Sequence, residues 1–279
     1  MVKKNKNLSL GPLDIHAIKE KLCSSIIGRD IRYLHRIDST NSYALEAALH
    51  GAEEGTIILA DQQTGGRGRH QREWESPAYK GIYLSIILKP KAMKGEPTLI
   101  SLLSAVVIAE ALKEFTPLEL DIKWPNDVLI KDKKIAGILI EINTQNNRIM
   151  HIVVGIGINV LQEEGDFSSN LSNQATSLLL ESGLEIPREA IIIKILHNFE
   201  GWYKTFKEKG PQPVMYGWKQ LSSYWRGKRV AISTIDRTFV GITQGINDDG
   251  SLMVKKENGL MERVVAGNII LLREDRKCS

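Results

Sequence analysis

The chain has 279 residues, 42% of them hydrophobic and 25% charged, and a formal net charge of +4. These values describe an ordinary globular protein with one large domain, or a large and a small one. The positive charge is too mild and too dispersed for a dedicated nucleic-acid binder, but it suits anionic substrates.

In chain order, Leu13, Ile15, Ile18 and Leu22 recur at helical spacing and predict an amphipathic first helix. A short strand follows over residues 31–37. Asp38-Ser39-Thr40-Asn41 supplies cap-forming side chains to a helix through Tyr43, Ala44, Leu45, Ala47, Ala48 and Leu49, stopped by Gly51. Residues 56–61 read as a buried strand. The run Gly65-Gly66-Arg67-Gly68-Arg69-His70-Gln71-Arg72-Glu73-Trp74 has no apolar periodicity and is predicted to be a loop. Ile82, Leu84, Ile86 and Leu88 mark another strand, ended by Pro90. A long helix is predicted over residues 97–115.

Residues 118–123 form a strand leading into Trp124-Pro125-Asn126-Asp127. Residues 128–130 and 135–142 read as a hairpin turning at Lys131-Asp132-Lys133. Another strand over 149–154 runs into Gly155-Ile156-Gly157-Ile158-Asn159. Residues 187–209 are helical, with Pro187 in the first turn and Gly210-Pro211 as the stop. Five short β-like runs then follow at 230–233, 239–246, 251–255, 260–265 and 269–272. Asp248-Asp249-Gly250 and Asn258-Gly259 are hairpin turn signals between them. The expected fold class is α+β: a mixed-sheet domain over residues 1–225 and a small β-barrel, SH3-like or OB-like, over 226–279.

Neither Cys23 nor Cys278 belongs to a Cys-x-x-Cys pair, and no His/Cys cluster has zinc-ligand spacing. This usage fits a reducing cytosol. The basic N-terminus is followed by no apolar stretch, so it does not read as a signal peptide. The most apolar helix is interrupted by Ser101, Ser104 and Glu110, and no segment reads as a membrane span.

The arginine loop carries the strongest chemical signal. Glycines allow close backbone approach, and guanidinium forks match phosphate and carboxylate oxygens. Taken alone, it is equally compatible with a solvated loop or with contact to nucleic acid. Asp38-Ser39-Thr40-Asn41 has more polar groups than a cap needs, and would suit a polar small molecule. Asn126 and Asp127 are ordinary turn residues. Lys123 and Trp124 before them are not, and an adenine or ribose site would use such groups. Gly137, inside a strand after Lys134, marks close approach of a ligand or of backbone. Gly155-Ile156-Gly157 lacks the third glycine of a dinucleotide fingerprint and reads as a strand that crowds a ligand. No covalent nucleophile is evident, so the chemistry reads as positioning and charge stabilisation.

Together, the Asp38-Ser39-Thr40-Asn41 cluster, the Gly66–Trp74 loop, Lys123-Trp124-Pro125-Asn126-Asp127, Lys134-Ile135-Ala136-Gly137 and Gly155-Ile156-Gly157-Ile158-Asn159 resemble the biotin–protein ligase family in order and spacing. The resemblance runs from about residue 13 to near the end of the chain. It implies a catalytic domain like that of class II aminoacyl-tRNA synthetases, with a C-terminal SH3-like barrel. It also implies ATP-dependent, AMP-forming ligation of biotin to a lysine of a biotin carboxyl carrier protein, the activity of a biotin–[acetyl-CoA-carboxylase] ligase (EC 6.3.4.15), with biotinyl-5′-AMP as intermediate and Mg²⁺ on the phosphates.

By that resemblance, Ser39, Thr40 and Gln63 bind the biotin ureido group, with Gly66, Gly155 and Gly157 shaping the pocket. Lys134 and Arg67 hold carboxyl and phosphate oxygens, and Arg67 and Arg69 close over the adenylate. Trp74 orders the loop. Asn126 and Asn159 lie near the nucleotide, and Asp127 orients a metal or the incoming lysine. The family loop carries glycine where Gln71 stands here, and Arg273 lies one residue from a family arginine thought to reach ATP. Fewer than 40 residues precede Asp38, and the expectation is that these are too few for an additional independent domain of the kind that makes some members DNA-binding repressors. The expectation is therefore a short, cytoplasmic ligase without DNA or membrane partners. A lipoate or octanoate ligase and a biotin-responsive regulator are the alternatives, and oligomeric state, a homodimer included, is left open.

Overall fold

The computed structural model describes residues 10–22, 24–90, 97–146, 148–234 and 236–272. Cys23, Cys278, Arg273 and the basic N-terminus up to residue 9 lie outside them. Six helices are described: α1 (Ile15–Lys21), α2 (Thr40–Leu49), α3 (Pro97–Lys113), α4 (Leu178–Ser182), α5 (Arg188–Lys209) and α6 (Gln212–Leu221). Strands β1 (Ile31–Ile37), β2 (Ile57–Gln63), β3 (Gly81–Leu88), β4 (Leu120–Lys123), β5 (Asp127–Ile130), β6 (Lys133–Gln145) and β7 (Arg148–Asn159) make one seven-stranded sheet. Its order is β1-β2-β3-β7-β6-β5-β4. β1 and β2 are parallel, and every other pair is antiparallel, so the sheet is mixed.

Both faces of the central strands are covered. Every residue of β3 is buried, which is why that segment is almost uninterruptedly apolar. Ile57, Leu59, Ile86, Leu88 and Val154 join the main core with α3 and α5. Ile58, Ile87 and Val153 point the other way, against Ala44, Ala47 and Ala48 of α2. Ser39 caps α2, its side chain accepting from the Ser42 N–H. α6 was not foreseen, because Gly210-Pro211 reads as a stop. It starts just beyond that stop, with Pro211 and Pro213 where a helix has no N–H partner to lose, and it buries Trp218.

The five C-terminal strands fall where expected: β8 (Arg229–Ser233), β9 (Thr238–Ile246), β10 (Leu252–Lys256), β11 (Met261–Val264) and β12 (Asn268–Leu271). The SH3-like barrel does not. The order β11-β10-β9-β8-β12 is that of an open antiparallel sheet, since β11 pairs with β10, β12 pairs with β8, and the two end strands do not pair with each other. A closed sheet covers its apolar face with itself. This one covers it with the rest of the protein: Val230, Ile232, Leu252 and Val254 belong to the same continuous core as α3. Leu99 and Leu102 of α3 lie against Gly250. No helix among the described residues is long and apolar enough to cross a membrane.

One buried carboxylate ties the chain before β1 to α5. Glu200 accepts from Ser25 Oγ (2.7 Å), Ser25 N (3.0 Å), Ile27 N (3.1 Å) and Lys204 Nζ (2.5 Å). Burial pushes its pKa up, but these donors outweigh burial and hold it at about 2, below its ordinary 4.5. A carboxylate with a depressed folded-state pKa contributes stability above its unfolded pKa and loses it as pH falls through the folded one. Glu200→Gln is therefore expected to cost about 2 kcal/mol at pH 7. Urea titrations of both proteins should show that deficit shrinking between pH 4.5 and about 2.

Candidate active site

The site lies on the α2 side of the seven-stranded sheet. Along β6, Ala136 and Ile138 face the core under α3, while Gly137, Leu139 and Glu141 face the opposite way. Gly137 pairs with Gly157 of β7, and Leu139 with Gly155. The sheet therefore presents a bare floor. A Cβ on Gly157 would lie 2.4 Å from Trp74 Cε2, and one on Gly137 would lie 2.9 Å from Trp74 Cζ3. At Gly155 the obstruction would be Asn41 Oδ1, at 2.3 Å. The close approach expected at these glycines is thus made first by the protein's own Trp74 and Asn41. Trp74 Nε1 is buried there with no hydrogen-bond partner among the described residues.

The arginine loop folds back on itself. Trp74 N donates to Gly66 O (2.9 Å), Gly68 N donates to Arg72 O (2.7 Å), and the backbones of Arg67 and Glu73 form an isolated antiparallel bridge. Arg67 donates to Ser42 Oγ (2.8 Å) and Glu141 Oε1 (3.2 Å). Arg69 donates to Asn126 Oδ1 (3.3 Å) and to Gly267 O in the turn before β12 (3.0 Å). Burial lowers the Arg69 pKa, and the nearby Asp127 carboxylate opposes that shift.

Lys134 Nζ lies 2.7 Å from Asp127 Oδ1 and 5.2 Å from the centre of the Trp74 ring. Lys123 Nζ is 3.5 Å from Asp127 Oδ2. Burial would raise the Asp127 pKa, but the two ammonium groups hold it below the usual carboxylate range. Ser39, the cap of α2, and Thr40, its first residue, are buried. Thr40 N donates to Gln63 Oε1 (2.9 Å), and Gln63 Nε2 donates to Ser76 Oγ (3.0 Å).

Two adjoining cavities result. The larger, about 310 Å³, is lined by Arg72, Lys123, Asp127, Asn159 and the segment around Phe167 and Gln174. The smaller, about 50 Å³, is lined by Ser39, Thr40, Asn41, Gln63, Arg67 and Gly155. Gly68, Arg69, Trp74, Asn126 and Lys134 line both.

Trp124 belongs to neither cavity. It is fully buried, and its Nε1 donates to Gly250 O (2.9 Å), so it anchors the C-terminal sheet and has no face free for a base. Asn126 Nδ2 is held by Ile138 O, and Asn159 bridges Thr176 O and Gln162 Nε2. Gly66 sits under the Trp74 carbonyl. Sequence reasoning missed Phe167, Leu171 and Gln174. They follow no motif and come to the site because Lys134 N donates to Gln174 O (2.8 Å) and Thr176 N to Lys134 O (2.9 Å). It also missed Ser85 and Glu141; for Ser85, a polar residue inside the otherwise apolar β3 is the available signal.

Residues 33–159 match the biotin/lipoate A/B protein ligase family, and residues 227–272 match the biotin protein ligase C-terminal domain. The bifunctional ligase/repressor BirA of Bacillus subtilis is 36% identical over 250 residues, covering 90% of this chain and 77% of that protein. The biotin–[acetyl-CoA-carboxylase] ligase of Mycobacterium tuberculosis is 30% identical over 276 residues, covering 94% of this chain and 97% of that protein. The structure of the Aquifex aeolicus biotin protein ligase in complex with biotin and ATP superposes with a TM-score of 0.76 at 30% identity, covering 88% of this chain and all of that one. The fold and site are those of an ATP-dependent ligase that acts on a small carboxylic acid. The chain belongs to the biotin protein ligase family.

Gln71 stands at φ 62 and His70 at φ 55, both left-handed. Each costs about 1 kcal/mol relative to glycine. Gln71→Asn should leave the loop closed, because asparagine tolerates this region. Gln71→Val should weaken closure by about 1–2 kcal/mol, read as roughly tenfold faster exchange of the Trp74 N–H.

Proposed function

We propose that this protein activates biotin with ATP and transfers it to a lysine of a biotin carboxyl carrier protein, such as that of acetyl-CoA carboxylase. The observation that carries the reading is the position of Lys134. Its ammonium borders both cavities beside a buried, ionised Asp127, at the junction where a carboxylate in the smaller space would meet a phosphate in the larger. Two anions do not approach each other unaided. At 4 Å they repel by about 4 kcal/mol at an effective dielectric of 20. Lys134, Arg67 and Arg69 supply fixed positive charge to offset this repulsion.

In the first step a biotin carboxylate oxygen attacks the α-phosphorus of ATP and pyrophosphate leaves. In the second, the ε-amine of the carrier lysine attacks the acyl carbon, loses a proton, and AMP leaves. Ser39, Thr40 and Gln63 take the ureido head, with Gly66, Gly155 and Gly157 shaping its pocket. Lys134 and Arg67 hold carboxyl and phosphate oxygens, and Arg69 keeps the loop over the intermediate, away from water. Asn126 and Asn159 flank the nucleotide. Trp74 covers the junction with its indole, and its unpartnered N–H is a donor for the ligand. Asp127 orients Lys134 and the incoming amine.

Mg²⁺ enters as part of the nucleotide substrate. The described residues contain no cluster of three or more acidic, His or Cys side chains fit to hold a metal. The single Asp127 carboxylate matches the way Mg²⁺ combines one or two carboxylates with phosphate oxygens. The need for ATP and the sparse cysteines support a cytoplasmic setting.

ATP–pyrophosphate exchange, run with biotin, with lipoate and with neither acid, tests the reading. Exchange should depend on biotin. Exchange with lipoate alone would move the protein to the lipoate branch, and none with either acid would refute the proposal. Lys134→Ala should lower biotin-dependent exchange by about 10²–10³-fold while the protein still binds biotin in calorimetry. Arg69→Ala should shorten the lifetime of bound adenylate more than it weakens binding of free biotin. Equal losses would contradict a loop that closes on the intermediate.

A further inference from the structure

Residues 163–173 belong to no strand, yet they carry Phe167, Leu171 and Asn173 into the lining of the larger cavity. Their ends are fixed. Just before them, the buried Gln162 accepts from Val160 N (2.7 Å) and donates to Asn159 Oδ1 (3.1 Å). Just after them, Gln174 and Thr176 pair with the backbone of Lys134.

The first half of the segment is held from residues 75–80, which follow directly on the arginine loop. Lys80 Nζ lies 2.5 Å from Asp166 Oδ2 and 3.6 Å from Glu163 Oε2. Asp166 Oδ2 also accepts from Glu163 N (2.8 Å), so the turn over Glu163–Asp166 closes on the oxygen that Lys80 holds. Leu161 N donates to Lys80 O (2.8 Å), and Ser168 N donates to Glu75 Oε2 (3.2 Å). The Lys80 and Asp166 side chains are 19% and 20% exposed, so solvent and salt screen this pair less than one on the open surface. Tyr79 stands at φ 67, a left-handed conformation that is unfavourable for an aromatic residue. Such strain persists only where the surroundings hold it. Here the next residue presents both its carbonyl and its ammonium group to residues 161–166.

We infer that Lys80 is a positioning residue for the nucleotide: paired with Asp166, it holds residues 163–168 where Phe167 lines the larger cavity. The inference rests on the reading of that cavity as the ATP site. Neither Lys80 nor Asp166 lines either cavity, so the pair acts through the placement of the segment. A ligand that needs the segment in place binds with an affinity reduced by the fraction of molecules in which it is there. The smaller cavity has no lining residue from this segment, so biotin is indifferent to the pair.

The test is isothermal calorimetry of the full chain with biotin and, separately, with the Mg²⁺ complex of α,β-methylene ATP, which cannot release pyrophosphate. Thermal unfolding is followed in parallel. The proteins are the wild type, Lys80→Ala, Asp166→Asn, Lys80→Arg and the exchanged pair, Lys80→Asp with Asp166→Lys. Lys80→Ala and Asp166→Asn should each weaken the nucleotide by about fivefold and change biotin by less than about twofold. Lys80→Arg should bind like the wild type, and the exchanged pair should recover most of the loss. A lysine acting on the phosphates by charge alone would give opposite signs, with Lys80→Ala weakening the nucleotide and Asp166→Asn tightening it, and that result would overturn the inference. Equal losses for biotin and nucleotide, or no loss in either single variant, would overturn it too. A wild type that binds biotin but not the nucleotide would overturn the reading of the larger cavity, and the inference with it.

Discussion

The site depends on the absence of two side chains. Gly137 and Gly157 face each other across β6 and β7, and the indole of Trp74 occupies the space their Cβ atoms would fill. A tryptophan laid flat on a sheet needs such a floor. Once it is there, the ends of the arginine loop are anchored, Lys134 lies over the ring, and the two cavities meet beneath it. The same floor fixes the register of the two strands, since a slip of one residue in either would turn Ile138 or Ile156 toward the indole.

Charge is arranged around that floor so that Arg67, Arg69, Lys123 and Lys134 each have an internal acceptor. Arg67 rests on Glu141, Arg69 on Asn126 and Gly267, and Lys134 and Lys123 on Asp127. Cations left partly buried with no partner would be costly, and these acceptors keep them charged and near their working positions. An incoming carboxylate or phosphate then replaces a protein oxygen, so the guanidinium and ammonium groups need little reorganisation when negative charge arrives.

The C-terminal sheet contributes to the same arrangement through its turns. Its apolar residues join the main core, the Trp124 indole reaches Gly250, and the Gly267 carbonyl holds Arg69. The turn before β12 keeps a carbonyl for the arginine loop, and a segment near the end of the chain reaches chemistry set by motifs 100 to 200 residues earlier.

Local sequence determined a great deal. The apolar run ended by Pro90, the five short β-like runs between 230 and 272, the Ser39 cap, the proline and glycine at the ends of α5 and the hairpin turns all act over a few residues, and these elements appeared at their expected places. The motifs also named most of the side chains that meet at the site, because loops next to strand ends carry function in short, recognisable runs. What the tertiary structure decided is what those motifs face. Trp124 turns into the core instead of toward a base, the glycines accommodate Trp74 and Asn41, and the last five strands form an open sheet whose apolar residues join the main core. Glu141, Ser85, Phe167 and Gln174 gain their places from pairing partners far away in the chain. Long-range register and the pairing of buried polar groups belong to no local pattern, so they are settled when the sheet assembles.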